Sequence, residues 1–292
     1  MQMDFLNWLG PTKFFSIFIL FLAACSEPEK LHYQTFIPSP GNNPTSKEGI
    51  ELGKKIFFME NESGSGKMSC ATCHKPDSGF SSASMRLINK VKRQVPSLYN
   101  LAYSQRFAWD GRERNLETVV LKPIANHEEM DQNLEKMVSE MNQNEDLKAE
   151  FRLIFGSETI YTALVSRALA QYVRSLTKLV PKEMTSAGKI LFENHCSSCH
   201  KGKFSSDFEL RRSVAAASGP DSGKFRVTRN ALDIYIFKTP SLANIRLTKP
   251  YMHDGRYKTL KEVVETYSQK LDISELKSMR AQNELIVFLE KL

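Results

Sequence analysis

The chain has 292 residues, 41% of them hydrophobic and 25% charged, with a formal net charge of +7. That length suits two domains of ordinary size, each able to bury its own core, and the composition is that of a soluble globular protein. The basic residues are scattered and accompany no recognised nucleic-acid module, so the modest positive charge favours acidic partners and gives no support to nucleic-acid binding.

Taken in chain order, residues 1–24 read as an export signal. Lys13 precedes the apolar run 14–22, which is too short to span a bilayer. The run ends in Leu22-Ala23-Ala24-Cys25, which resembles a bacterial lipoprotein cleavage box. Cys25 would then carry a diacylglycerol, and two acyl chains suffice to hold a protein on the periplasmic side of a membrane. An ordinary signal peptide with an incidental cysteine is the alternative, but the lipid anchor gives the odd fifth cysteine a role. Residues 25–44 are proline-rich, lack apolar periodicity and read as a tether.

Thr45-x-x-Glu48 resembles a capping box that opens a helix to about Phe58, with Ile50, Ile56 and Phe57 on its apolar face. The Gly/Ser-rich stretch 61–67 is a loop, and 78–95 reads as polar and irregular. Helical periodicity returns at Leu134, Met137, Val138 and Met141, and again at Ile160, Leu164, Leu169, Tyr172, Val173 and Leu176. Pro181 marks a boundary between a first domain, 45–180, and a second, 181–292. The second domain starts near Ser186, carries a long loop over 201–237 and closes with a helix over 274–292. Residues 235–237 give the one convincing strand signal, so the expected class is all-α.

Two Cys-x-x-Cys-His motifs carry the chemistry: Cys70-Ala-Thr-Cys73-His74 and Cys196-Ser-Ser-Cys199-His200. This spacing is the signature of covalent c-type haem, with the two thiols bonded to the haem vinyls and the histidine ligating iron. It agrees with the export signal, because such haem is attached outside the cytoplasm. A zinc site made from the four thiolates is the competing reading, and it leaves both histidines unexplained.

The surroundings of the motifs repeat. Gly53-Lys54-Lys55-Ile56-Phe57 precedes the first and Gly188-Lys189-Ile190-Leu191-Phe192 the second; Pro96-Ser97-Leu98-Tyr99-Asn100 follows the first and Pro240-Ser241-Leu242-Ala243-Asn244 the second. Asp110-Gly111-Arg112 and Asp254-Gly255-Arg256 lie at the same offset beyond those prolines, followed by Leu116 and Leu260. Such self-similarity indicates a duplication, giving two tandem cytochrome c-like haem domains.

These residues, together with Phe107-Ala108-Trp109-Asp110, Glu129-Met130, Arg167-Ala168-Leu169-Ala170 and Pro250-Tyr251-Met252-His253, resemble the bacterial di-haem cytochrome c peroxidase family, including its MauG-like members. The resemblance runs from about Gly49 to Leu292. It implies two covalently bound haems c facing one another, with a tryptophan, here Trp109, between them. Alone, a buried Trp is more often core. It implies that the first haem is the peroxide site, where Glu129 occupies the position of the family's proton-handling glutamate; the bland alternative is a solvated acid at a helix start. It implies that hydrogen peroxide would be reduced there with electrons reaching the second haem from a small cytochrome c or a cupredoxin.

Several positions depart from the family pattern. Val119 stands where many members carry Gln, and no His lies between Lys75 and Ala108, where many place one that caps the first iron. The sixth ligand of the second haem is commonly Met; the matching residue is Tyr267, as in MauG-like members, with His253 and Met252 as alternatives. The thirteenth residue past Asp110 is Pro123, and past Asp254 it is Tyr267, so the duplication predicts an open first iron and a closed second. The resemblance also implies a calcium ion between the domains, which usually involves an Asn; here the matching residue is Gln94, with Thr248 and Pro250 offering carbonyls, a departure from the family's site. The resemblance leaves three activities open: peroxide reduction, MauG-like oxidation of aromatic residues on a partner protein, and electron carriage without catalysis.

Mass spectrometry of protein matured by its export machinery should show two haems on one chain, held by Cys70/Cys73 and Cys196/Cys199. Fewer than two would refute the motif reading. Replacing His74 or His200 should leave both haems attached while altering the spectrum of one.

Overall fold

The computed structural model describes residues 37–60, 63–88, 91–179, 186–215 and 218–292. The signal peptide, Cys25, most of the tether and the Pro181 boundary lie outside them. Helix α1 (Lys47–Phe57) is followed by the single turn α2 (Cys70–Cys73), the strands β1 (Ser82–Ile88) and β2 (Val91–Val95), and the four-residue helices α3 (Leu116–Val119) and α4 (Lys122–Ala125). Then come α5 (Leu134–Met141), α6 (Glu145–Phe155) and α7 (Thr162–Ser175). The second half holds α8 (Ala187–His195), β3 (Leu210–Arg212), α9 (Phe225–Thr228), β4 (Ile236–Lys238), α10 (Leu260–Lys270) and α11 (Met279–Leu289).

The first core forms where α1 crosses α7. Ile56 and Phe57 from α1 meet Val165, Leu169 and Tyr172 from α7, and Leu147 and Phe151 of α6 close the cluster. Each such side chain contributes about 1.5–3 kcal/mol by leaving water. Gly53 sets the approach: a Cβ there would stand 2.0 Å from the Ala168 carbonyl oxygen. The second core repeats the device with α8 on α11, where a Cβ on Gly188 would stand 2.0 Å from the Glu284 carbonyl oxygen. Phe192, Leu260, Val264, Leu285 and Phe288 fill that cluster.

Several expectations change, among them the long loop over 201–237, which holds β3 and α9. The residue that caps α1 is Ser46, not Thr45: its hydroxyl accepts from Gly49 N, and its own N donates to Gln171 Oε1 at 2.9 Å, which fixes the extended backbone a cap needs. The segment 78–95 is a β1–β2 hairpin, antiparallel, with a register shift between Ser82 and Met85. Its signal is hidden because Arg93 and Gln94 are buried as fully as Val91 and Val95. The final helix is broken at Ser278 (φ −78°, ψ 127°), so a 3₁₀ turn over Ser274–Lys277 precedes α11. Among the described residues the fold is mostly helical, and the expected all-α class is corrected by two two-stranded sheets, β1–β2 and β3–β4.

The described end of the tether is docked. Asn43 is buried, donates to Glu117 Oε1 and to the Arg167 carbonyl, and accepts from Gln171 Nε2.

The turn after each Pro-Ser-Leu segment is built the same way in both halves. Phe107 bridges Glu113 as Tyr251 bridges Tyr257. Ala108 and Met252 both take positive φ, and Arg112 and Arg256 each clamp the aspartate two residues earlier.

Gly53→Ala should cost about 1–3 kcal/mol, because the new methyl must push α1 off the α7 backbone. A melting temperature equal to that of the parent would show that this contact does not limit packing.

Candidate haem sites and the junction between them

The two histidines of the motifs are held alike. His74 Nδ1 lies 3.0 Å from the Phe80 carbonyl oxygen and His200 Nδ1 3.2 Å from that of Ser205. A carbonyl only accepts, so each Nδ1 carries the proton and each Nε2 keeps a free lone pair. Burial pushes both imidazoles down, His200 to about 4, against the opposing carbonyl bonds, so both stay neutral as an iron ligand must be. The loops that carry the accepting carbonyls are pinned in parallel: Ser97 Oγ donates to Gly79 O and Ser241 Oγ to Phe204 O, both at 2.7 Å.

Nearby donors suit a group that brings its own carboxylates. Arg86 reaches Cys73 Sγ with one terminal nitrogen, while its buried Nε has no partner. Lys238 is buried over the Phe208 ring, no carboxylate among the described residues pairs with it, and burial lowers it to about 8. Haem propionates would satisfy both. Among the described residues no three His, Cys, Asp or Glu side chains converge on a metal-sized site.

Glu129 sits in the loop after α4. Asn126 Nδ2 donates to Glu129 Oε2 at 2.9 Å, and the loop folds back so that Met130 N donates to the Pro123 carbonyl at 3.1 Å. Buried Met130 anchors it, with its carbonyl accepting from Gly64 N in the Gly/Ser loop. Glu129 and Pro123 therefore belong to one closed turn.

Tyr267, on α10, lies in the surroundings of the second motif. Burial raises its phenol and the Cys199 and Cys196 thiols add to this, while a hydrogen bond with Ser213 opposes it. His253 is directed elsewhere: its ring stacks on Phe237 at 4.0 Å, and its Nε2 stands 3.8 Å from Asp221 and 4.0 Å from Asp254.

Trp109 bridges the halves. Its Nε1 donates to the Gln94 carbonyl at 2.8 Å, its own carbonyl accepts from Lys238 N at 2.7 Å, and its ring lies 6.5 Å from that of His253. Beneath it, Arg93 of β2 binds Asp110 at 2.7 Å and, through two nitrogens at 2.7 and 3.0 Å, Asp221 of the second half. Burial works against ionisation of Asp110, but the Arg112 and Arg93 guanidiniums outweigh it and hold the carboxyl below its usual range. Asp221 is held low in the same way by Arg93.

Neither the Arg93 bridge nor the Arg86, Lys238 and Ser213 positions follow from the sequence. Each depends on partners far along the chain.

Comparison with known proteins adds to this geometry. A family model described as di-haem cytochrome c peroxidase matches residues 47–182. The methylamine utilization protein MauG of Methylorubrum extorquens is 33% identical, covering 88% of this chain and 81% of that protein. Cytochrome c551 peroxidase of Nitrosomonas europaea is 28% identical, covering 87% and 83%. The solved structure of a MauG-like protein associated with microbial copper homeostasis matches with a TM-score of 0.77 at 25% identity, over 92% of this chain and 95% of that one. The diheme peroxidase BthA of Burkholderia thailandensis shares the fold with a TM-score of 0.68 at 17% identity, over 86% of this chain and 87% of that one.

Asp221→Ala should destabilise the molecule by about 3 kcal/mol, the low end for a broken buried pair because Asp110 still faces Arg93. Both carboxyls are depressed, so their contribution is present at neutral pH and is lost as pH falls below about 4. The gap between parent and variant in urea melts should therefore narrow with acid. A gap independent of pH would contradict the assignment.

Proposed function

The chain belongs to the di-haem cytochrome c peroxidase family, and we propose that it reduces hydrogen peroxide to water with electrons from a small cytochrome c or cupredoxin. In this reading each half is a duplicated cytochrome c-like domain with one haem on its cysteine pair, His74 and His200 serving as axial ligands. Membership makes the chain a haem oxidoreductase of peroxidase type, and the matched turns of the two halves support the duplication. Lipid attachment at Cys25 on the periplasmic side of a membrane completes the proposal.

The observation that carries it is the difference between the two sites. The Tyr267 phenol is pushed up by burial, with a smaller electrostatic effect of Cys199 and Cys196, and is hydrogen-bonded with Ser213. At the equivalent position of the first half, by contrast, the Pro123 carbonyl closes the loop that carries Glu129. A phenol oxygen can close an iron and a proline side chain cannot.

Haem, when bound, supplies the redox equivalents, and the protein's own groups handle protons and positioning. Glu129, oriented by Asn126, takes a proton from one oxygen of hydrogen peroxide and returns it to the other as the O–O bond breaks. With two electrons and two further protons the products are two waters. Trp109 places an oxidisable ring between the halves, held at both its indole nitrogen and its backbone.

A second reading, oxidation of aromatic residues on a partner protein, is favoured by Tyr267 and by the likeness to MauG. Steady-state turnover of peroxide with reduced cytochrome c or a cupredoxin separates the two. Glu129→Gln should slow that turnover by about 10²–10⁴-fold with haem spectra intact, since an amide keeps the shape but cannot carry the proton. Unchanged turnover would remove Glu129 from the reaction, and oxidation of a partner without donor turnover would favour the second reading.

A further inference from the structure

Gln94 lies at the junction, on β2, and is 5% exposed. Its backbone N donates to the His253 carbonyl at 2.7 Å and its carbonyl accepts from Trp109 Nε1. Its carboxamide nitrogen donates twice, to the Thr248 carbonyl at 2.7 Å and to Ser81 Oγ at 3.2 Å. The direction of these bonds is fixed by the neighbours. Ser81 Oγ gives its only proton to the Val95 carbonyl at 2.7 Å, so it can only accept from Gln94, and the Thr248 carbonyl can do nothing else. Turned over, the amide would set an oxygen against two acceptors.

This is where the family resemblance puts a calcium ion between Gln94 and the Thr248 and Pro250 carbonyls. Calcium requires six to eight oxygens at about 2.3–2.6 Å, which keeps ligand oxygens about 3 Å or more apart. Here a nitrogen donor stands within 2.7 Å of the Thr248 oxygen, so the residue and the spacing are both wrong for a cation. Glutamine is one methylene longer than asparagine and reaches the opposite carbonyl directly.

We propose that the Gln94 carboxamide replaces the calcium ion, clamping Ser81 of the first half and Thr248 of the second without metal. The same residue holds Trp109, so the path between the two haem sites would be set independently of calcium. The clamp takes its location from the family resemblance and does not rest on the peroxidase reading, so its failure would leave that reading standing.

The test uses the mature di-haem protein. Metal analysis after dialysis should find no stoichiometric calcium, and melting temperature, optical spectrum and turnover should be the same in EGTA and in millimolar calcium chloride. Gln94→Ala leaves buried Ser81 Oγ and the part-buried Thr248 carbonyl without their donor and should lower the melting temperature on the order of 5 °C in both buffers. A parent protein that loses stability in EGTA and regains it with calcium would overturn the proposal, as would a Gln94→Ala variant that melts like the parent. The chelator arm needs only the parent, so it decides the matter even if the variant does not mature.

Discussion

Two adjacent residues of β2, Arg93 and Gln94, fix how the halves of the molecule meet. Arg93 is a buried guanidinium with carboxylates from both halves, and the cost of desolvating three charges is offset only because every bond is close to ideal length. Such an arrangement tolerates little displacement, since removing either carboxylate leaves the buried guanidinium with one partner where it had two. Gln94 adds neutral bonds to Ser81, Thr248, His253 and Trp109 beside it. The Trp109 indole is therefore held by the same strand that joins the halves.

That strand was also the part of the fold least visible in the sequence. Helices α1, α5 and α7 follow from periodicity because each carries an apolar stripe, even though α7 also buries Gln171 and Arg174. β2 buries Arg93 and Gln94 for partners far along the chain, so the alternation that would mark a strand is masked by polarity. α3 and α4 span a single turn each and have no period to read, whereas Thr259 and Glu262 do form a capping box before α10 that a local pattern could have revealed. The cysteine motifs, Trp109 and Glu129 could be proposed from the sequence because covalent haem chemistry and family likeness constrain short stretches. Ser213 and Arg86 were not, because nothing local marks a hydroxyl or guanidinium that acts across a site.

The proposed duplication would explain how one architecture can house unlike sites. Both halves use a glycine to bring two helices into backbone contact, a serine to pin the loop after the motif, and an Asp/Arg clamp to shape the next turn. Against this shared frame the differences are few and concentrated. Tyr267 projects from a full helix beside the second motif, while the corresponding stretch of the first half is a short helix and a loop that presents Glu129. Chemistry would then be divided by position, with proton handling in one half and electron entry in the other.

The asymmetry is tested most directly by the EPR spectrum of the fully ferric protein. The account predicts one high-spin signal from an open first haem and one low-spin signal from a closed second haem, with peroxide altering the first without prior reduction. Two low-spin signals, or a peroxide response that appears only after reduction, would contradict it.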